Sequence, residues 1–491
     1  MIPKSQIRNF RFGLATNSSS THSIVHMPDN QVRTISEAPK FGWDFFTVSS
    51  KEEKKTYLLG QLLSNIPERD MYISILKMAG FEDSSKFLED LYVDHQSVIN
   101  IPKTPSNHNP KINIDFFMEY MDYILENDFV ILGGNDNDSA EHELADQGDQ
   151  KKNYFESFDG DDIAYKNGNY WLVHNKKRKL RIAFHDYLLR PAAAELVDLK
   201  ITDYCDIGCN FCYMDSTVKG QHASLDDLRK IRNAVTRYNS VTEFALGGGE
   251  PTSHPEFSQI LKMLYEDSNI VNFTTKSTTW FNNKVIVDTV KEYVSGVAYS
   301  VTAVADLSKF ANLHYEHFKI EIDESNVVQM YIHLIPEILG NDLFREILDE
   351  IEQLNKKLDE YNYYDNRIKV TLLGLKPIGR ASEADKKIIP EIVDILFKLQ
   401  YTSVGVDTKF ARDYQPFLEK YKVDPKKYRV EEGEFSMYID GVKSLAYKSS
   451  YELDNPIDMI DNTKTFGNIY KSSEQLFGEM QSANNIEEIL D

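Results

Sequence analysis

All three cysteines of this 491-residue chain, Cys205, Cys209 and Cys212, fall within eight positions of one another. Thiolates are soft ligands that suit zinc or iron–sulfur clusters, and a run this short lets one loop wrap a single small inorganic centre. Three thiolates leave one coordination position unfilled. A closed structural zinc site takes four protein ligands, whereas a four-iron cluster held by three cysteines keeps one iron open to another ligand. An open metal position implies catalysis. The alternative is a zinc knuckle completed by a nearby histidine such as His222, in a protein that binds metal without catalysing a reaction.

Roughly forty residues further on, the chain reads Phe244-Ala245-Leu246-Gly247-Gly248-Gly249-Glu250-Pro251. Gly247, Gly248 and Gly249 remove side chains where backbone must come close to a ligand, and their freedom allows a strand-end turn. Together the C-x3-C-x-aromatic-C run, with Phe211 in the aromatic slot, and the Gly-Gly-Glu-Pro run resemble the two motifs of the radical S-adenosylmethionine (radical SAM) superfamily.

The resemblance implies a partial (β/α)6 TIM-like barrel, one 4Fe-4S cluster on the three cysteines, and S-adenosylmethionine chelated at the open iron. It implies reductive cleavage to a 5′-deoxyadenosyl radical that abstracts hydrogen, with electrons from a donor such as flavodoxin or ferredoxin. It places Glu250 on the cofactor's amino group, Phe211 and Tyr213 beside its adenine, and Ser300 and Thr302 toward its ribose and carboxylate. Lys276, Ser277 and Arg380 are further polar candidates at strand ends.

The elements that must position these residues follow from pattern. Leu196–Thr202 reads as a strand running into the cysteine loop, and Ser224 opens a helix near 224–239. Val241–Leu246 is a second strand, ending at the glycines, and Pro255–Asp267 a helix with proline in its first turn. Strands at Ile270–Thr275, Gly296–Thr302, Met330–Ile335 and Lys369–Leu375 follow, with helices at 282–294, 343–360 and 385–400. Strand–helix alternation without hairpins predicts a parallel sheet, and right-handed crossovers curl it toward a barrel with ligand loops at the strands' C-terminal ends. Both motifs fall at such ends.

Residues 194–400 thus read as the core barrel, and residues 1–190 as an α+β accessory region of helices followed by a hairpin. Helical periodicity marks 52–65, 71–80, 84–92 and 114–126, and Asn167-Gly168-Asn169 between apolar runs signals the hairpin. The hydroxyl-rich run 16–23, with Ser20 and His22, reads as a turn or helix cap. The acidic stretch 133–161, with Asp136, Asp138 and His142, reads as a loop. Residues 401–491 form a small β-containing cap. Phe435, Met437 and Ile439 alternate before Asp440-Gly441, and with Phe466-Gly467-Asn468-Ile469 they resemble the SPASM/twitch extension of peptide-modifying radical SAM enzymes. Lys376-Pro377-Ile378-Gly379-Arg380-Ala381 resembles a segment of the same subgroup. The tail has no cysteine, so a second cluster on cysteine cannot form there.

Composition narrows the setting. With 41% hydrophobic and 27% charged residues, no apolar run of membrane-spanning length and no apolar signal core at the start, the chain reads as cytoplasmic. Reduced thiolates point to the same compartment. A net charge of −22 disfavours nucleic acid, and the basic run Lys176-Lys177-Arg178-Lys179 reads as a solvated hairpin segment. The expected substrate is a peptide or protein side chain; the alternative is a nucleoside, an RNA base or a small metabolite.

Overall fold

The computed structural model describes residues 50–64, 100–105, 111–126, 161–175, 179–185, 187–236, 243–266, 269–318, 328–360, 367–383, 391–396, 398–423, 432–461, 469–471 and 474–480, with short strands nearer the start and a few single positions. The chain divides into two compact units, Met1–Arg190 and Pro191–Asp491. Among the described residues no helix is long and apolar enough to cross a membrane.

In the first unit, strands β1 (Ser23–His26), β3 (Phe46–Val48) and β5 (Phe129–Gly133) form an antiparallel sheet, and β2 (Lys40–Phe41) pairs with β4 (Tyr92–Val93). Helices α1 (Lys51–Ser64) and α2 (Ile114–Glu126) form where the periodicity at 52–65 and 114–126 predicts them. Asn113 opens α2 by accepting from the Phe116 amide at 3.0 Å. Phe117, Met121 and Ile124 on α2 then pack with Tyr57, Leu58 and Leu62 on α1. The hairpin forms as β6 (Ile163–Asn167) and β7 (Tyr170–His174), extended by β8 (Lys179–Ile182), with Gly168 in the left-handed region its turn requires. The runs at 16–22, 71–80 and 84–91, the acidic loop with Asp136, Asp138 and His142, and Lys176–Arg178 lie outside the described residues.

The second unit is built on parallel strands β9 (Leu196–Thr202), β10 (Glu243–Gly248), β11 (Ile270–Thr275), β12 (Gly296–Ser300), β13 (Gln329–Leu334) and β14 (Lys369–Leu372). They stand in sequence order, each paired with the next. Four tail strands extend the same sheet. β15 (Val404–Val406) pairs parallel with β14, and β16 (Ser436–Asp440) pairs parallel with β9 and turns back into β17 (Leu445–Tyr447), which pairs with β18 (Ile457–Asp458). A separate pairing joins β19 (Ile460–Asp461) to β20 (Ile469–Tyr470). Strands β15 to β18 therefore share the sheet of the preceding strands, while β19 and β20 do not.

Helices α3 (Leu225–Val235), α4 (Phe257–Tyr265), α5 (Lys284–Tyr293), α6 (Val304–Phe318), α7 (Pro336–Glu360, broken at Gly340), α8 (Ile392–Leu396) and α9 (Thr408–Lys420) connect or follow the strands. Ser224, Asn283 and Asp407 cap α3, α5 and α9 with side-chain oxygens. Val197, Leu199, Ile201, Phe244, Leu246, Phe273, Tyr299, Ile332 and Val370 join the core that the helices complete. Alternation sends Asp198, Lys200, Thr202, Ala245, Ala298 and His333 to the other face.

That face is concave. Between β9 and β15 lie six strand spacings, roughly 29 Å in a flat sheet. Yet Asp198 on β9 lies in the fields of Lys376 after β14 and Asp407 after β15. The sheet therefore curls into a partial barrel around a lumen. β16 is locked to β9 by the buried Lys200 ammonium, which contacts Asp203 at 2.5 Å and Asp440 at 2.8 Å. Removing one partner of a buried ion pair costs about 3–5 kcal/mol. Asp440→Ala is expected to lower stability by about that much in chemical denaturation; an unchanged midpoint would show that β16 is held by other contacts.

Candidate functional site

The cysteine loop leaves β9 at the mouth of the barrel. Its thiols are partly exposed and unbridged, and the Cys205 amide ties the loop to the Thr217 carbonyl at 3.0 Å. Burial pushes the Cys205 thiol up, while the amides of Ile207 and Gly208, donating to its sulfur, favour the thiolate. Among the described residues no three His, Cys, Asp or Glu side chains converge as ligands of a single metal ion. Three unbridged, partly exposed thiols on one loop suit a cluster of several irons. His222, the candidate fourth zinc ligand, has its Nδ1 within 2.9 Å of the Thr202 hydroxyl, and its ring lies against Tyr204 and His254.

The glycine run is fitted to this loop. A Cβ on Gly248 would collide with the Thr202 carbonyl oxygen, and one on Gly249 with that of Tyr204, whereas Gly247 faces open space. The approach is sealed by hydrogen bonds from the Gly249 amide to Thr202 O and from the Glu250 amide to Tyr204 O, both 2.8 Å. Gly248 and Gly249 are thus required by backbone packing. Gly247 leaves its surface free for a ligand.

Glu250 is almost fully buried. Its Oε1 accepts from the Thr252 amide and hydroxyl (3.2 and 2.6 Å) and the Thr275 hydroxyl (2.8 Å), and its Oε2 from the amides of Lys276 and Ser277 (3.1 and 3.2 Å). Burial pushes its carboxyl up, and these donors pull it back toward the charged form. A carboxylate offers about four lone-pair sites. A ligand's amino group would share oxygens that already join the ends of β10 and β11.

Arg380 closes the loop from the far side of the sheet. Its backbone amide donates to Cys212 O at 3.0 Å, its Nε to Cys209 O at 2.9 Å, and its Nη atoms to Ser216 O at 3.2 and 3.1 Å; Nη1 also meets Asp215 at 2.7 Å. Gly379 precedes it with φ +57, and a Cβ there would crowd the carbonyls of Cys212 and Tyr213.

The aromatic candidates carry lysines. Lys276 Nζ stands 5.5 Å from the Phe211 ring centroid and donates to Thr302 Oγ1 at 2.9 Å, while Thr302 donates to Asp306. Lys376 Nζ stands 4.6 Å from the Tyr213 ring. Ser300 ends β12 in register with His333. Phe211, Lys276 and Thr302 therefore form one linked group, as do Glu250, Thr275 and Ser277. Sequence reading missed Thr275, Asp215, Asp198, His333 and the partners of Arg380. The one available signal was the charged pair Asp198 and Lys200 at alternate positions of a strand leading into the cysteines.

Residues 199–357 match the family model of the radical SAM superfamily. No curated protein matches the chain. Among solved structures, Streptococcus suis SuiB bound to precursor peptide SuiA is similar at 13% identity and TM-score 0.39, over 53% of this chain and 60% of that one. SuiB bound to S-adenosylmethionine gives 13% and 0.38 over 55% and 64%, and SuiB alone 11% and 0.41 over 60% and 82%. This chain thus spans 60% of the first relative's length. The family match runs from within β9 into α7, covering both motifs, and stops before β14 and the tail. These residues form a radical SAM domain, of a superfamily that uses a 4Fe-4S cluster and S-adenosylmethionine.

Arg380→Ala is expected to leave the barrel folded but reduce cluster retention severalfold, measured as iron per chain after anaerobic desalting, with Arg380→Lys intermediate because lysine cannot reproduce the fork. Equal iron in all three proteins would contradict the clasp. Glu250→Gln places an N–H₂ against bound donors. Losing one hydrogen bond to a charged group costs about 1.5–3 kcal/mol, so unfolding should shift by that amount even without ligand; a shift seen only with S-adenosylmethionine present would make Glu250 a ligand contact alone.

Proposed function

We propose that this chain uses its radical SAM domain to modify a peptide or protein side chain, with Cys205, Cys209 and Cys212 holding one four-iron cluster. When bound, the cluster and S-adenosylmethionine supply one-electron reductive cleavage and hydrogen-atom abstraction, chemistry that belongs to the cofactors. The single observation that carries the reading is the family match over a loop whose three thiols, unbridged and partly exposed, are the chain's whole cysteine supply.

The chain's own residues bind, orient and enclose. Amides of Ile207 and Gly208 favour thiolate at Cys205, and Arg380 fixes the backbone carbonyls of Cys209 and Cys212. Gly247 gives a ligand access to backbone at the mouth, where the Lys276 ammonium lies over Phe211 and bonds Thr302. Lys276 suits a carboxylate, Ser300 a ribose hydroxyl, and the faces of Phe211 and Tyr213 an adenine. Lumen positions occupied by Ala245, Ala298 and Gly405 leave room for a side chain to enter. The SPASM-like tail favours a peptide substrate, and flavodoxin or ferredoxin in a reducing cytoplasm suits the electron supply.

Anaerobic reconstitution tests this directly. The protein is expected to bind about four iron and four sulfide per chain and, with dithionite and S-adenosylmethionine, to release 5′-deoxyadenosine. Cys209→Ala, left with two thiolates, is expected to lose both properties. A reproducible eight irons would require ligands other than cysteine and overturn the single-cluster assignment, and no nucleoside above the apo control would overturn the reaction.

A further inference from the structure

Asp198 is a lumen side chain that has no bonded partner among the described residues. It sits on β9 about 13 Å along the strand from Thr202 at the mouth. The residue keeps solvent-accessible surface on the concave face, although the protein around it is dense enough to push its carboxyl up. Among the described residues no side chain or backbone group bonds its oxygens. The strand position beside it on β10 is Ala245, which leaves space on that side, and on β16 it is the buried Tyr438, whose hydroxyl is turned to Met214 Sδ at 3.7 Å.

The charged groups around it are already occupied. Lys376 Nζ donates to Ser450 Oγ at 3.0 Å and lies over Tyr213 and Tyr451, 4.6 and 5.3 Å from their ring centroids. Asp407 accepts the Gly374 and Phe410 amides at 3.0 and 2.7 Å, and Glu432 accepts the Tyr451 hydroxyl at 2.8 Å. Nearer the mouth, Lys200 is matched by Asp203 and Asp440. His333, in the field of the same Lys376, is held neutral, its imidazole pushed down to about 4 by burial and that ammonium. Of the charges acting most on Asp198, Lys376 is the one cation, against the carboxylates Glu432, Glu243 and Asp407. Around Asp198 the neighbouring carboxylates outnumber the cation, and its own oxygens are an acceptor without a bonded donor among the described residues.

We propose that Asp198 anchors the cationic tip of the substrate, a lysine or arginine side chain of a peptide whose backbone enters the mouth of the lumen. The depth selects a long side chain, and the charge selects a basic one. This rests on the reading that the lumen takes the substrate. Burial and the three neighbouring carboxylates push the Asp198 carboxyl up to about 6 against the pull of Lys376. A cation would bind its charged form, so affinity should rise with pH from 5 to 7; His333 stays neutral throughout that window.

The test is ligand-observed NMR titration of the reconstituted protein with Nα-acetyl-lysine methylamide, its arginine counterpart and the neutral norleucine counterpart. The basic probes are expected to bind at least tenfold tighter than norleucine at pH 7.5 and to lose that advantage at pH 5. Asp198→Asn, a near-isosteric change, is expected to bring all three to the norleucine level without pH dependence. Equal binding of basic and neutral probes, or full selectivity in Asp198→Asn, would overturn the proposal. Release of 5′-deoxyadenosine is measured on the same samples. Cleavage without selective binding sinks this inference alone, and selective binding without cleavage sinks the radical reading alone.

Discussion

The structure depends on the sheet curling far enough for the loop after β14 to grip the loop after β9. Five strand spacings separate these strands, roughly 24 Å if the sheet were flat. Arg380 nevertheless donates to the carbonyls of Cys209, Cys212 and Ser216. A loop carrying three thiols has little apolar surface of its own to hold it, so its shape must come from outside. Arg380 supplies that shape from one side, and the backbone pairing of Thr202 and Tyr204 with Gly249 and Glu250 supplies it from the other. Lysine could not do the same, since several acceptors at different angles call for a planar fork of donors.

The same economy governs the mouth of the barrel. Glu250 collects donors from its own turn and from the end of β11, so one buried carboxylate registers the glycine motif against the next strand. Lys276, anchored through its backbone amide by Glu250, carries its ammonium to Phe211 and Thr302. Cluster loop, glycine turn and the third strand end are therefore one mechanical unit. A disturbance at any one of them reaches the other two.

Much of this was legible in the chain because it is local. Three cysteines in eight positions and a glycine run at a strand end are short-range signals, and β9 to β14 follow the alternation of apolar residues to within about three residues at their ends. The sites of Cys205, Cys209 and Cys212 needed no tertiary information. Pairings between distant segments were not legible. β16 was readable as a strand from Phe435, Met437 and Ile439, but nothing in its pattern says that it lies beside β9 rather than in a separate cap. Glu250 reads equally well as a ligand contact or as a buried clasp until Thr275 and Ser277 are seen to reach it. Asp198 in a strand looks like a solvated charge, and only the curl of the sheet turns it inward.

On the proposed function, the cysteine loop holds a four-iron cluster with one iron left for S-adenosylmethionine. Mössbauer spectroscopy of protein reconstituted with ⁵⁷Fe tests it most directly, because it sees each iron's coordination. One iron of the four should change its isomer shift when S-adenosylmethionine is added, while the three thiolate-bound irons stay as they were. Four irons that all remain unchanged on addition, or iron absent from a protein that retains zinc, would contradict the account.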